Sequence, residues 1–141
     1  MYEPYTRQAL PEKAYRELLG SALCVFNSNN TFIIENILRV DISGKSNWYS
    51  LIDLESGRLK ENVKKSISSQ FGNDIENQFS KLVEMRNRII HSYQVTENDR
   101  QILATKEKSS SRQFIITEEY LMDFIKQNEK LSSMLHNLRG Y

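Results

Sequence analysis

Asp74-Ile75-Glu76-Asn77-Gln78-Phe79-Ser80-Lys81-Leu82-Val83-Glu84-Met85-Arg86-Asn87-Arg88-Ile89-Ile90-His91-Ser92-Tyr93 is the stretch on which the fold turns. Its apolar residues Ile75, Phe79, Leu82, Val83, Ile89, Ile90 and Tyr93 recur at spacings of three and four, which predicts a long amphipathic helix. At about 100° per residue from Arg86, Phe79 falls at about +20°, Leu82 at about −40°, Val83 at about +60°, Ile89 at about −60°, Ile90 at about +40° and Tyr93 at about −20°. Arg86 therefore stands in the middle of the apolar stripe. A guanidinium there needs a partner, because burying an unpaired charge is costly. Asn87 and His91, four apart, share one flank of the stripe. Arg88 falls on the opposite face and is expected in solvent.

The residues alone leave three explanations open. Arg86 pairs with a core carboxylate, for which Glu35, Asp53 and Glu84 are available, and His91 bonds a carbonyl. Alternatively, Arg86 and His91 mark the margin of a helix–helix dimer seam. Or arginine, amide and imidazole together make a chemical site.

Outward from this helix, the chain reads as mainly α. Residues 1–10 have no period and suggest an extended arm. Pro11-Glu12 starts a helix, since proline suits the first turn and an acid suits the dipole there. Ala14, Leu18, Leu19, Ala22, Val25 and Phe26 form its stripe, which Ile33, Ile34, Ile37 and Leu38 resume. Asn27-Ser28-Asn29-Asn30 between them is either a break or a polar turn within one long helix, and Asp41 to Gly44 ends the segment. Trp48, Leu51, Ile52 and Leu54 suggest a short helix closed by Ser56-Gly57. Another short helix covers Leu59 to Phe71, with Val63 and Ile67 inward and Gly72-Asn73 as its stop.

After the motif helix the period changes. Gln101–Lys106 and Arg112–Thr117 are β-prone runs around the polar loop 107–111, the pattern of a hairpin. Thr117 with Glu118 and Glu119 opens a last helix. Leu121, Phe124, Ile125, Leu131, Leu135 and Leu138 form its inner face, and Gly140 ends it. With no repeat or long linker, residues 1–141 read as one domain.

Composition narrows the function. Eighteen acids against nineteen lysines and arginines give a net charge of +1, unlike the basic excess of a dedicated nucleic-acid coat protein. No apolar run approaches the roughly 18 residues needed to span a bilayer. The start, Met1-Tyr2-Glu3-Pro4-Tyr5, lacks a signal-peptide pattern, so no membrane and a cytoplasmic location are expected. Cys24 sits among Ala22, Leu23, Val25 and Phe26 and is expected to be buried. With His91 and His136 as the only histidines, one chain cannot complete a zinc site, and no metal or cofactor is expected. Ser43-Gly44-Lys45-Ser46 has the last letters of a phosphate-binding loop, but Arg39 stands where its first glycine belongs.

Arg86-Asn87-x-x-x-His91 resembles the signature of the HEPN superfamily, carried late on a long helix of a small helical domain. With Tyr93 it is similar to the Arg-x-x-x-x-His-x-Tyr variant of HepT-type toxins. The resemblance implies a HEPN-like helical bundle, here with a small C-terminal β-hairpin before the last helix. It implies a metal-independent endoribonuclease acting at a homodimer interface, a toxin or defence component with RNA as substrate. His91 would handle the proton, Arg86 the phosphate, and Asn87 would orient the reacting group. Tyr93 would bind substrate at the site mouth or be the position modified by an antitoxin or nucleotidyltransferase partner; as a plain side chain it reads as packing. The alternative is a non-catalytic HEPN-type module that binds nucleotide or RNA, or organises an assembly.

Overall fold

The computed structural model describes residues 2–139; the expected stop at Gly140 lies outside the described residues. The helices are α1 (Lys13–Val40), α2 (Trp48–Ile52), α3 (Ser56–Val63), a π-helical turn (Lys64–Ser68), α4 (Ser69–Phe71), α5 (Asp74–Ile90) and α6 (Glu118–Leu138). Between α5 and α6 lie strands β1 (Tyr93–Glu97), β2 (Arg100–Lys106) and β3 (Gln113–Ile115). The protein is thus mostly helical with a small antiparallel sheet of order β1-β2-β3.

Three phenylalanines bind the long helices to one another. Phe26 of α1 stacks on Phe79 of α5 and on Phe124 of α6, with ring centroids 6.3 and 6.0 Å apart. Such aromatic pairs add to the burial of their area. Around them Ile33, Ile37, Leu59, Leu82, Leu121 and Leu131 are fully enclosed. The asparagine run does not break α1. Asn29 turns inward and donates its amide to the Asn128 carbonyl at 2.7 Å and to Asn128 Oδ1 at 3.1 Å, so the polar group is satisfied inside the bundle. Gln78 makes the matching contact from α5, donating to the Gln127 carbonyl at 2.9 Å.

Segment 56–71 is continuous through its π turn and stops at Gly72, whose φ of 90° suits glycine. Ser56-Gly57 does not close α2, as expected, but opens α3. Glu55 is extended and resets the chain direction, and Ser56 is held inward by its hydroxyl bond to Asn30 Oδ1 at 3.1 Å. Cys24 is exposed, against expectation. It lies two residues from both Ala22 and Phe26, on the far side of the helix from their buried face.

The expected hairpin is present as β2 and β3, but a third strand, β1, precedes it and pairs Tyr93 with Ala104 and Val95 with Ile102. Asn98-Asp99 makes the connecting turn with φ of 52° and 60°, the left-handed backbone that two-residue hairpins require. Only His91-Ser92 separate α5 from β1. The N-terminal arm is folded back on itself, with Tyr2 bridging to Ala9. Arg16 ties it down through Glu3 at 2.6 Å and the Tyr5 hydroxyl at 3.1 Å.

At the end of α1, the carboxylate of Asp41 accepts from the backbone and hydroxyl of Ser43 (3.0 and 2.6 Å) and from the Ser46 backbone (2.9 Å). These bonds close the loop that has phosphate-loop letters onto an internal anion. The Ser43 hydroxyl, followed by the Ser46 backbone, holds the Asp41 pKa far below the usual carboxylate range. A depressed folded pKa contributes stability above the unfolded value of about 3.9 and loses it as pH falls further. Asp41→Asn is therefore expected to melt below the wild type at pH 7, with the gap narrowing below about pH 4. Thermal melts across that range check it; a gap that stays constant with pH counts against the loop's charge.

Candidate active site

α5 places Arg86, half-buried, over the aromatic stack. Its guanidinium carbon lies 5.3 Å from the centroid of Phe26, the ring at the centre of the aromatic stack. Phe26 is itself 1% exposed. Arginine over an aromatic face gains a cation–π attraction. Nη2 donates to Asn87 Oδ1 at 3.0 Å, whereas Nε is buried with no hydrogen-bond partner. Among the described residues no carboxylate pairs with Arg86. Glu84 engages Arg88 and Glu35 lies 3.7 Å from Arg139, so neither serves it. Burial pulls the Arg86 pKa down, and Glu55, at the start of α3, opposes that shift through space. The group keeps its charge, since a guanidinium is not deprotonated in proteins. It is a half-buried cation with unfilled donor capacity.

Asn87 shares the turn and is half-buried. His91 is the C-cap of α5: its backbone N–H donates to the Asn87 carbonyl at 2.9 Å, and its φ and ψ of −91° and 25° end the helix. The residue is exposed, with no side-chain hydrogen bond among the described residues. An imidazole exposed at a helix end can exchange a proton with a bound ligand. Ile90 is 49% exposed although the stripe placed it inward. It occupies the last turn of α5, where the bundle no longer covers that side.

Tyr93 is not on the helix. The chain changes period at His91, so Tyr93 begins β1 and its position on a helical meridian with Arg86 is overturned. Its hydroxyl donates to Gln113 Oε1 across the sheet, and its ring remains 41% exposed. Arg88, expected in solvent, has a side chain only 17% exposed. Its Nη1 donates to the Lys106 carbonyl on β2. Its Nε lies 3.2 Å from Glu84 Oε1 without alignment for a hydrogen bond, so that pairing is coulombic. Beside it Tyr120 of α6 packs on Phe114, and burial pushes its phenol pKa up to about 12 against the pull of the Arg88 charge.

Sequence reasoning did not find Phe26 as the platform, Glu55 as a charge acting on Arg86 through space, or Arg88 as a brace. A signal for the last existed: β2 follows the motif closely, and a long cation two residues from a helix end can reach a neighbouring strand. A shallow cleft beside the motif helix is lined by Glu84, Arg88 and Phe114, and other clefts lie away from it. One of about 310 Å³ is lined by Glu12, Tyr15, Arg100 and Glu118. Among the described residues no cluster of three histidine, cysteine or carboxylate side chains is placed to hold a metal, and no helix is long and apolar enough to cross a membrane. Comparison with protein-family models, curated proteins and solved structures returns no significant match.

Proposed function

We propose that this chain is a metal-independent endoribonuclease of HEPN type whose site is completed by a second copy of itself. The observation that carries the reading is Arg86, a half-buried guanidinium on an aromatic floor that no described carboxylate neutralises and whose Nε lacks a partner. A phosphate diester supplies what is missing, a pair of anionic non-bridging oxygens for the planar arginine fork. His91 stands five residues on, exposed at the end of the same helix.

In the reaction, the ribose 2′-oxygen attacks phosphorus as a base removes its proton. The bond to the 5′-oxygen breaks, and an acid protonates that leaving group. The products are a 2′,3′-cyclic phosphate and a 5′-hydroxyl. Histidine serves as base or acid near neutrality, and arginine binds the charge that gathers on the non-bridging oxygens. Two-fold pairing around the exposed Ile90 supplies both roles from two copies of His91. Asn87, already bonded to Arg86, fixes the fork's orientation.

The purified chain is expected to cleave single-stranded RNA in excess EDTA, leaving cyclic phosphate ends, and to sediment as a dimer. Cleavage that needs a divalent metal, or none with any RNA tested, removes the assignment. A dimer that binds RNA or nucleotide without cleaving it would instead establish the non-catalytic module.

A further inference from the structure

The two-residue joint that carries His91 is closed into a ring by contacts that the motif does not include. On one side, Arg88 donates to the Lys106 carbonyl of β2. On the other, Tyr93 pairs with Ala104 of that same strand. Between these fastenings the chain runs Ile89-Ile90-His91-Ser92, and the Ser92 hydroxyl donates back to the Ile89 carbonyl at 2.6 Å. A helix–strand joint with free ends would sample many directions. This one is anchored before and after the histidine to points two residues apart on a central strand. Glu84, one turn back, holds the guanidinium from behind, and Phe114 and Glu84 line the shallow cleft above it.

We propose that Arg88 is a positioning residue for His91: its span from Glu84 to the Lys106 carbonyl fixes the last turn of α5 against the sheet and so sets the direction of the imidazole. The sheet then serves the site by giving the helix end a rigid external reference. As a role in catalysis this rests on the ribonuclease reading. As a geometric claim about His91 it does not.

The test compares wild type, Arg88→Met and Arg88→Lys, each full length and well below its melting temperature. The readouts are RNA cleavage in EDTA and the His91 ring signals in a proton–carbon correlation spectrum. Methionine keeps the apolar stem and removes the donors. Its kcat is expected to fall about 10- to 100-fold with KM within about threefold, since small misplacements of a reacting group cost that much. Its His91 ring signals are expected to shift and broaden. Lysine can reach the carbonyl without also lying along Glu84, so it should recover part of both. Wild-type ring signals in folded Arg88→Met overturn the proposal, as does a loss of rate carried wholly by KM. Should Arg88→Met not fold, Arg88→Lys decides: altered ring signals support the brace, and wild-type signals with wild-type kcat overturn it. A wild-type chain that fails to cleave RNA defeats the ribonuclease reading alone, because the spectra still decide whether Arg88 orients His91.

Discussion

His91→Ala is expected to lower RNA cleavage by about 10²- to 10⁴-fold, the usual contribution of a positioned acid or base, while the fold and the dimer persist. The structural half of this expectation follows from how His91 is built in. It caps α5 through its backbone N–H on the Asn87 carbonyl, a bond that alanine keeps. Its side chain is exposed and makes no hydrogen bond among the described residues. Substitutions at such positions usually change stability by no more than about 0.5 kcal/mol, or about 2 °C in Tm for a chain of this size. Cleavage rates from matched preparations, with sedimentation and thermal melts alongside, check both halves. Robust cleavage by a well-folded His91→Ala protein would move the chemistry away from this helix end altogether. Lost cleavage with a dissociated dimer would instead make His91 a seam residue.

What the sequence reveals of this site depends on periodicity, and it ends where periodicity ends. Arg86 is legible because the residues from Asp74 to Ile90 obey one period, so that a charge at the centre of the stripe stands out. Its anomaly is then physical: the ring beneath it, Phe26, belongs to a helix sixty residues earlier, and no pattern within α5 names that partner. Tyr93 falls on the same helical wheel, but the chain changes from a helical to an extended period at His91, and a two-residue joint leaves too little sequence to betray the change. Strand β1 went unseen for a related reason. Its turn is Asn98-Asp99, which adopts left-handed backbone without the glycine that usually announces a hairpin. Asn29 could be read as a break because a polar residue in a stripe is ambiguous until its partner is known; Asn128, on the last helix, resolves it. Cys24 shows the opposite case: its apolar neighbours along the chain are not its neighbours in space.

These cases share a cause. Local pattern specifies which face of an element turns inward, but long-range partners decide whether a polar group on that face is satisfied. Asn29 and Gln78 are satisfied by α6, and each reads as structure. Arg86 is not satisfied at Nε, and its one hydrogen bond is to the neighbouring Asn87. Leftover bonding capacity is shared by the neutral Asn36 Oδ1 and Thr105 Oγ1, which are also buried without partners; at Arg86 it falls on a charge that no carboxylate pairs with among the described residues, and that combination marks the candidate.

That combination gives the second large effect its unusual sign. Arg86→Met is expected to reduce RNA cleavage about 10²- to 10³-fold, the range seen when a donor to a developing anion is lost, and yet to stabilise the folded protein. Methionine keeps a long apolar stem over Phe26 and makes favourable sulfur–aromatic contacts. It also removes a half-buried charge that has no described counter-ion and a buried Nε without a partner. Replacing poorly compensated buried charge with apolar groups of similar volume is often stabilising. Because Arg86 is only partly enclosed, the gain here is about 1 kcal/mol, or about 3 °C in Tm. Asn87 Oδ1 loses its donor but is half-exposed and can turn to water. A ligand should reverse the ranking: a ribonucleoside 3′-phosphate that fills the fork raises the wild-type Tm by mass action, and leaves Arg86→Met unmoved. Melts of both proteins at equal concentration, with and without that nucleotide, make the measurement. A variant that melts well below wild type, with neither protein responding to nucleotide, would show Arg86 to be an internal fastening of the bundle, and the phosphate reading would end there.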